Sequence, residues 1–238
     1  DVLLIFDEIP SALGRTGKMF VCEHFDVEPD MLVIGKGLGG GVFPMAALLA
    51  NDDLNVVEDK ALGHYTHEKS SVGCAAALAT IDCLMEDGLL DNAVTLGNSG
   101  LQQLEALKLK HPIIHEVRGL GLFYGIDLRV DGKPASNEAD SILYHSLSNG
   151  LSYKVGGGSI LTLCPPLTIN NDELTQAFNI IENGIIKSYL GVGIMRESEK
   201  YDLKKYPQAL LTRQTNYLST LYKICLLYTS DAADEEDS

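Results

Sequence analysis

Two short aliphatic runs near the start of this chain each end in a chemically equipped residue, and that pairing narrows the possible folds sharply. Val2-Leu3-Leu4-Ile5-Phe6 runs into Asp7, inside Phe6-Asp7-Glu8-Ile9 and shortly before Gly14-Arg15-Thr16-Gly17. Met31-Leu32-Val33-Ile34 runs into Gly35-Lys36, at the head of Gly35-Lys36-Gly37-Leu38-Gly39-Gly40-Gly41. A continuous apolar run bounded by a turn predicts a strand of a parallel sheet, covered on both faces. The expected class is therefore α/β. Open α/β sheets gather their chemistry beyond the carboxyl ends of such strands, so Asp7 and Lys36 are expected side by side at one rim.

A lysine can form a Schiff base (an aldimine) with an aldehyde cofactor, and a carboxylate can keep the cofactor's pyridine nitrogen protonated. Unit charges about 4 Å apart at an effective dielectric of about 20 interact by roughly 4 kcal/mol. That is worth up to about three pH units of added basicity, enough to hold a pyridinium at neutral pH. Glycines around Lys36 would let the backbone turn and approach a cofactor closely. The plainer alternatives are a turn or helix-capping aspartate and a solvated loop lysine.

The ordered series from Leu4 to about Asp82 resembles the class-III aminotransferases, pyridoxal-phosphate enzymes of fold type I. It includes Asp7-Glu8-Ile9, the Gly-Arg-Thr-Gly segment, Phe20, His24-Phe25, Val27-Glu28-Pro29-Asp30 and the glycine-flanked Lys36. The resemblance implies pyridoxal 5'-phosphate as cofactor and Lys36 as the Schiff-base lysine. It also implies Asp7 as the partner of the pyridine nitrogen and Ile9 as an aliphatic contact of the cofactor ring. Aligning on Cys74-Ala75-Ala76-Ala77-Leu78-Ala79 places Thr66 where relatives contact the cofactor phosphate of a neighbouring subunit, which implies a homodimer. Gly63-His64-Tyr65-Thr66-His67-Glu68-Lys69-Ser70 resembles a subgroup that includes ammonia-lyases of hydroxylated aminoethylphosphonate.

Two departures bear on the substrate. Amino-acid-using relatives carry an arginine three residues before Pro165-Pro166, as a bidentate carboxylate fork; Thr162 stands there here. Pro10 replaces a polar residue, so no side-chain contact to the cofactor's phenolic oxygen comes from that position. Lys69 and Thr162 are thus candidate substrate-binding residues. A transaminase using an amine without the standard α-carboxylate clamp and an ammonia-lyase acting on an amino(hydroxy)phosphonate or similar amine both fit. A cofactor-free structural relative is a third reading, opposed by the joint presence of Asp7 and Lys36.

The 238 residues, 45% hydrophobic, can bury a core. The resemblance divides them into a partial cofactor-binding large domain with connecting helices (1–108), a small α+β domain (109–190), an unplaced extension (191–224) and a tail (225–238). Cys225-Leu226-Leu227-Tyr228-Thr229-Ser230-Asp231-Ala232-Ala233-Asp234 resembles an in-frame translated sequencing adaptor. Family members are longer, and Asp1 opens inside a strand, so a C-terminal fragment with an exposed sheet edge, inactive alone, is expected. Asp231, Asp234, Glu235, Glu236 and Asp237 make five of the net −15; the mildly acidic remainder argues against nucleic acid and anionic membranes. The five dispersed cysteines read as small buried hydrophobes in a reducing compartment, without metal-ligand spacing. No apolar run approaches the roughly 20 residues of a membrane-spanning helix, and a cytoplasmic enzyme acting on a small-molecule amine is expected.

Among local elements, Met45–Ala50 predicts a third strand, Ser71–Leu84 an alanine-lined helix, and Asp91 or Asn92 the cap of a second helix reaching about Lys108. Beyond Pro112 come a strand over Val117–Val130, a helix over Glu138–Asn149, and strands over Leu151–Val155 and Ser159–Cys164. A last helix follows Asn170-Asn171, with Leu174, Phe178, Ile181 and Ile185 on one face.

Overall fold

The structure is a computed structural model that describes residues 2–57, 60 and 70–189. The expectations for Thr66, Lys69 and the segments 191–224 and 225–238 fall outside these described residues.

Strands β1 (Ile5–Asp7) and β2 (Met31–Ile34) pair in parallel, with Asp7 opposite Val33. β3 (Ala47–Ala50) runs antiparallel to β2, so the expected parallel sheet is mixed at this edge. Of the first aliphatic run only Ile5 and Phe6 enter a strand; Val2, Leu3 and Leu4 precede it, exposed. Leu32 and Ile34 are buried, whereas Ile5 and Leu48 are 54% and 60% exposed. Among the described residues this sheet is covered on one face, not two.

The covering layer begins with helix α1 (Ser71–Glu86), whose N-cap Ser70 accepts a hydrogen bond from the Gly73 amide at 3.3 Å. Gly73 has no room for a side chain, because a Cβ there would sit 2.9 Å from Cε1 of Phe43. Helix α2 (Leu89–Lys110) buries Ala93, Leu96, Gly97, Gly100, Leu104 and Leu107, a stripe at helical spacing. Its N-cap is Gly88, at φ +67, rather than Asp91 or Asn92. Asn92 instead lies in the first turns and donates from Nδ2 to the Leu167 and Ile169 carbonyls at 2.7 and 3.1 Å.

The chain then builds a five-stranded antiparallel sheet. The single strand expected over Val117–Val130 is a hairpin, β4 (Ile114–Leu120) and β5 (Phe123–Val130), reversing at Gly121-Leu122. Gly121 lies at φ +55, a conformation that favours glycine. The two-residue β6 (Lys133–Pro134) pairs with β5, helix α3 (Ser136–Ser148) follows, and β7 (Lys154–Gly156) and β8 (Ile160–Leu163) complete the order β4-β5-β8-β7. Helix α4 (Asn171–Tyr189) is capped reciprocally: Asn170 Oδ1 accepts from the Glu173 amide at 2.9 Å, and Glu173 Oε2 from the Asn170 amide at 3.0 Å. Leu174, Phe178, Ile181 and Ile185 are all buried, as the periodicity predicts. No helix among the described residues is long and apolar enough to cross a membrane.

Tyr124 joins this sheet to α2. Its hydroxyl donates to the Leu96 carbonyl at 3.1 Å, and its ring meets Phe178 edge-on at 5.9 Å. Burial pushes its phenol up to about 12.

The tightest packing is backbone on backbone. A Cβ on Gly121 would fall 2.5 Å from the Thr16 carbonyl carbon, and one on Gly97 would fall 2.6 Å from the Gly121 backbone. The Arg15-Thr16 loop, the β4–β5 turn and α2 are therefore stacked in succession with no side chain between them. Helix propensity alone would make Gly97→Ala stabilising by about 1 kcal/mol. We expect the opposite sign, a net loss of roughly 1–3 kcal/mol from overpacking, read as a lower denaturant midpoint of the protein carrying this chain. A raised midpoint would show that the stack yields without cost.

Candidate functional site

The rim of the first sheet is built from the segments that leave β1 and β2. After β1, Asp7 accepts a hydrogen bond on Oδ1 from the Ile9 amide at 3.1 Å. The aspartate thus has the local turn role that its residue type predicts, with Oδ2 left over. The neighbouring Glu8 points the other way and is 3% exposed. Its two carboxylate oxygens accept from the Val21 and Cys22 amides at 2.6 and 2.8 Å, fixing the 3₁₀ turn Val21–His24 beneath the rim. The sequence reading overlooked Glu8. The available signal was a second acid directly after a buried strand, which requires a partner.

After β2, Gly35 is extended and Lys36 takes φ +46, opening a 3₁₀ turn over Lys36–Gly39. A left-handed lysine costs on the order of 1–3 kcal/mol and is typical of functional sites. Its ammonium has no hydrogen bond or ion pair among the described residues. Lys36 opens on a cavity of about 680 Å³ that Ile9, Arg15, Gly40, Cys83 and Cys164 also line. Asp7 and Lys36 follow adjacent parallel strands at the same end, as the sequence predicts, and Ile9 shares the cavity with Lys36. Thr162 does not line it. It faces a separate cavity of about 540 Å³ on the C-terminal sheet.

Arg15 closes the site from behind. Its Nη1 donates to the Pro165 carbonyl and, at 3.2 Å, to the Leu122 carbonyl, while the Leu122 amide donates back to the Arg15 carbonyl at 3.0 Å. Burial pulls its guanidinium below the ordinary arginine value, with the Cys164 thiol acting the other way. It stays cationic at neutral pH. Its partners lie 107 and 150 residues away, so no local pattern pointed to this clasp. Thr16, also buried, meets His24 Nε2 through Oγ1 at 3.1 Å.

The cysteines depart from expectation. Cys22 is buried, but Cys74, Cys83 and Cys164 are exposed, because Cys83 and Cys164 face the Lys36 cavity and Cys74 lies on an outward face of α1. Partial burial raises the Cys164 thiol, against the opposing charges of Arg15 and Lys36. No group of three or more metal-ligating side chains is assembled among the described residues.

Comparison with known proteins places this arrangement. The chain is 43% identical over 190 residues to the (R)-1-hydroxy-2-aminoethylphosphonate ammonia-lyase of Vibrio splendidus, covering 79% of this chain and 40% of that protein. It is 39% identical over 181 residues to ornithine aminotransferase 1 of Staphylococcus saprophyticus, covering 76% of this chain and 44% of the relative. The crystal structure of acetylornithine aminotransferase from Elizabethkingia anophelis superposes with a TM-score of 0.72 at 36% identity, over 78% of this chain and 48% of that one. The chain therefore spans less than half the length of these relatives. The family described as aminotransferase class-III matches residues 1–185, and the chain belongs to it.

Proposed function

We propose that the protein carrying this chain is a pyridoxal 5'-phosphate-dependent transaminase of the class-III type, transferring an amino group from a small-molecule amine that lacks the standard α-carboxylate clamp. The observation that carries this reading is Lys36: an unpartnered ammonium on a left-handed residue, beside Asp7 at one sheet rim, opening on a cavity of ligand size. These residues fit the cofactor chemically, since an amine suits its aldehyde, a carboxylate its ring nitrogen and an aliphatic wall its ring. When bound, the cofactor supplies an aldehyde for the substrate amine and a pyridinium that draws electrons from the adjacent carbon.

In this reading the Ile9 amide fixes the Asp7 carboxylate through Oδ1, leaving Oδ2 to hold a proton on the ring nitrogen. Ile9 offers the aliphatic surface that keeps the ring in place. Lys36 Nζ would hold the cofactor and would move a proton for the substrate. The clasp of Arg15 keeps the Pro165-Pro166 segment against the cavity, which excludes water from that side. We assign residues 1–108 to the cofactor-binding part and 109–190 to a smaller lobe, with 191–224 and 225–238 outside both. Thr66 would reach the cofactor phosphate of a second subunit, and Lys69 and Thr162 would contact substrate. A homodimer follows, and light scattering that found an active monomer would refute it.

Thr162 in place of an arginine favours a second reading, an ammonia-lyase, and so does the 43% identity to a phosphonate ammonia-lyase. A panel of α-amino acids, ω-amino acids and aminophosphonates separates the two. Dependence of turnover on pyruvate or 2-oxoglutarate supports the transaminase; ammonia release without acceptor supports the lyase. Efficient transamination of ordinary α-amino acids would remove the proposed substrate class.

The paired residues give a sharper expectation. Lys36→Ala should abolish turnover together with the visible absorbance of lysine-linked cofactor. Asp7→Asn should leave cofactor bound but reduce turnover by roughly a thousandfold, the equivalent of the roughly 4 kcal/mol charge interaction. Full activity in Lys36→Ala, or an Asp7→Asn rate within tenfold of wild type, would contradict the assignment.

A further inference from the structure

Asparagine is followed by glycine twice in the chain, at Asn149-Gly150 and Asn183-Gly184, and the fold treats the two pairs differently. Such a pair is open to an intramolecular reaction. The glycine amide nitrogen can attack the side-chain carbonyl carbon of the asparagine, because no Cβ stands in its way. Closing that ring requires the asparagine backbone to turn away from helical values and the attacking amide to leave its hydrogen bond.

Asn183-Gly184 lies inside α4, where interior amides donate four residues back. Gly184 is buried, and a Cβ on it would lie 3.1 Å from Cδ2 of His145 and from Cγ2 of Ile142. Ring closure there would break the helix against packed neighbours. Asn149 is instead the residue on which α3 ends, at φ −105 and ψ 16, so its backbone has already left the helical path. Gly150 follows at φ +87, in the left-handed region, with nothing within 4 Å of the place a Cβ would occupy. Both residues are exposed.

Two hydrogen bonds of the last turn oppose the reaction. The Gly150 amide donates to the Leu147 carbonyl at 3.2 Å, and Asn149 Nδ2 donates to the His145 carbonyl at 2.8 Å. Both are local to a helix end, where fraying opens them at little cost.

We infer that Asn149 is a site of spontaneous covalent modification, an asparagine that the fold leaves open to conversion into aspartate and isoaspartate while it keeps Asn183 intact. In the first step the Gly150 nitrogen bonds to Asn149 Cγ and the Cγ–Nδ2 bond breaks. The amide proton passes through water to Nδ2, which leaves as ammonia. Water, the one co-reactant, then opens the cyclic imide at either carbonyl. One opening leaves an aspartate in an unchanged main chain; the other routes the main chain through the side-chain carboxyl and lengthens it by a methylene. The site is independent of the reading of Lys36.

The product loses a donor and gains a charge. A carboxylate cannot donate to the His145 carbonyl, and a negative charge at a helix C-terminus opposes the macrodipole. Leu151 is tied to the same turn, since its amide donates to the Ser146 carbonyl at 2.9 Å. Conversion therefore loosens the end of α3 and the segment that leads into β7.

The test ages the purified protein carrying this chain at neutral and mildly alkaline pH and maps its peptides by mass spectrometry. Asn149 should convert at least about tenfold faster than Asn183, since one amide needs only fraying and the other needs the helix to open. In urea-unfolded protein the two rates should agree within about threefold, because the same pair then meets the same solvent. Gly150→Asn tolerates the left-handed backbone but crowds the attacking nitrogen, and should slow conversion at position 149 by about tenfold. Hydrogen exchange at the amides of residues 149 to 151 should speed up in the aged protein and in Asn149→Asp alike. An Asn149 that stays intact while the unfolded chain converts, equal rates at the two asparagines in the folded protein, or unchanged exchange in Asn149→Asp would overturn the inference.

Discussion

The close approach of three backbones, at Arg15-Thr16, at Gly121 and at Gly97, is the contact on which the relative placement of everything else depends. Backbone atoms cannot change rotamer, so a stack without intervening side chains has almost no freedom to relax. It holds the turn of the C-terminal sheet against the loop that follows β1, and holds both against α2. The Lys36 cavity, walled partly by residues 9–15 and partly by residues 164–168, inherits its shape from that contact.

Polar groups then lock what the stack positions. Arg15 gives up hydration on burial, and two carbonyl acceptors on different segments compensate it. Hydrogen bonds to a charged group contribute about 1.5–3 kcal/mol each, enough to offset a partial desolvation but not a full one. The guanidinium is accordingly half-buried rather than sealed in the core. Asn92 acts similarly, one amide spanning two carbonyls of the segment after Pro166. The segment around Pro165-Pro166 is thereby held from the Arg15 loop and from α2 at once. Proline lacks a donor of its own; Arg15 uses the Pro165 carbonyl, and Asn92 uses those of Leu167 and Ile169.

Much of this was legible in the sequence where the determining forces are local. Asp7 and Lys36 could be placed at one rim because strand ends can be read from apolar runs and their glycine boundaries. Helix α4 could be read from its capping pair and its four apolar positions. The hairpin at Gly121 could not, since a glycine within an apolar stretch reads equally well as a tolerated strand residue until its positive φ and crowded surroundings are known. The same holds for the Gly88 cap, where a left-handed backbone replaced a side-chain acceptor. The Arg15 clasp depends on residues brought together by packing across long sequence separations. Only the strand pairing reveals that Gly125 and Lys154 stand beside Thr162.

Glu8 has a consequence beyond holding a turn. β1 contributes only three paired residues, and so short a strand has few contacts to prevent it from sliding along β2. Side chains alternate faces, so a slip of one position would turn Asp7 inward and Glu8 outward. The slipped arrangement would present the Val21 and Cys22 amides with a side chain one methylene shorter. Two buried donors would compete for an acceptor that falls short of them. Glu8 thus acts as a phase marker for the strand, and the order of the two acids, rather than their presence, determines which carboxylate is buried against the Val21 and Cys22 amides and which is left at the rim.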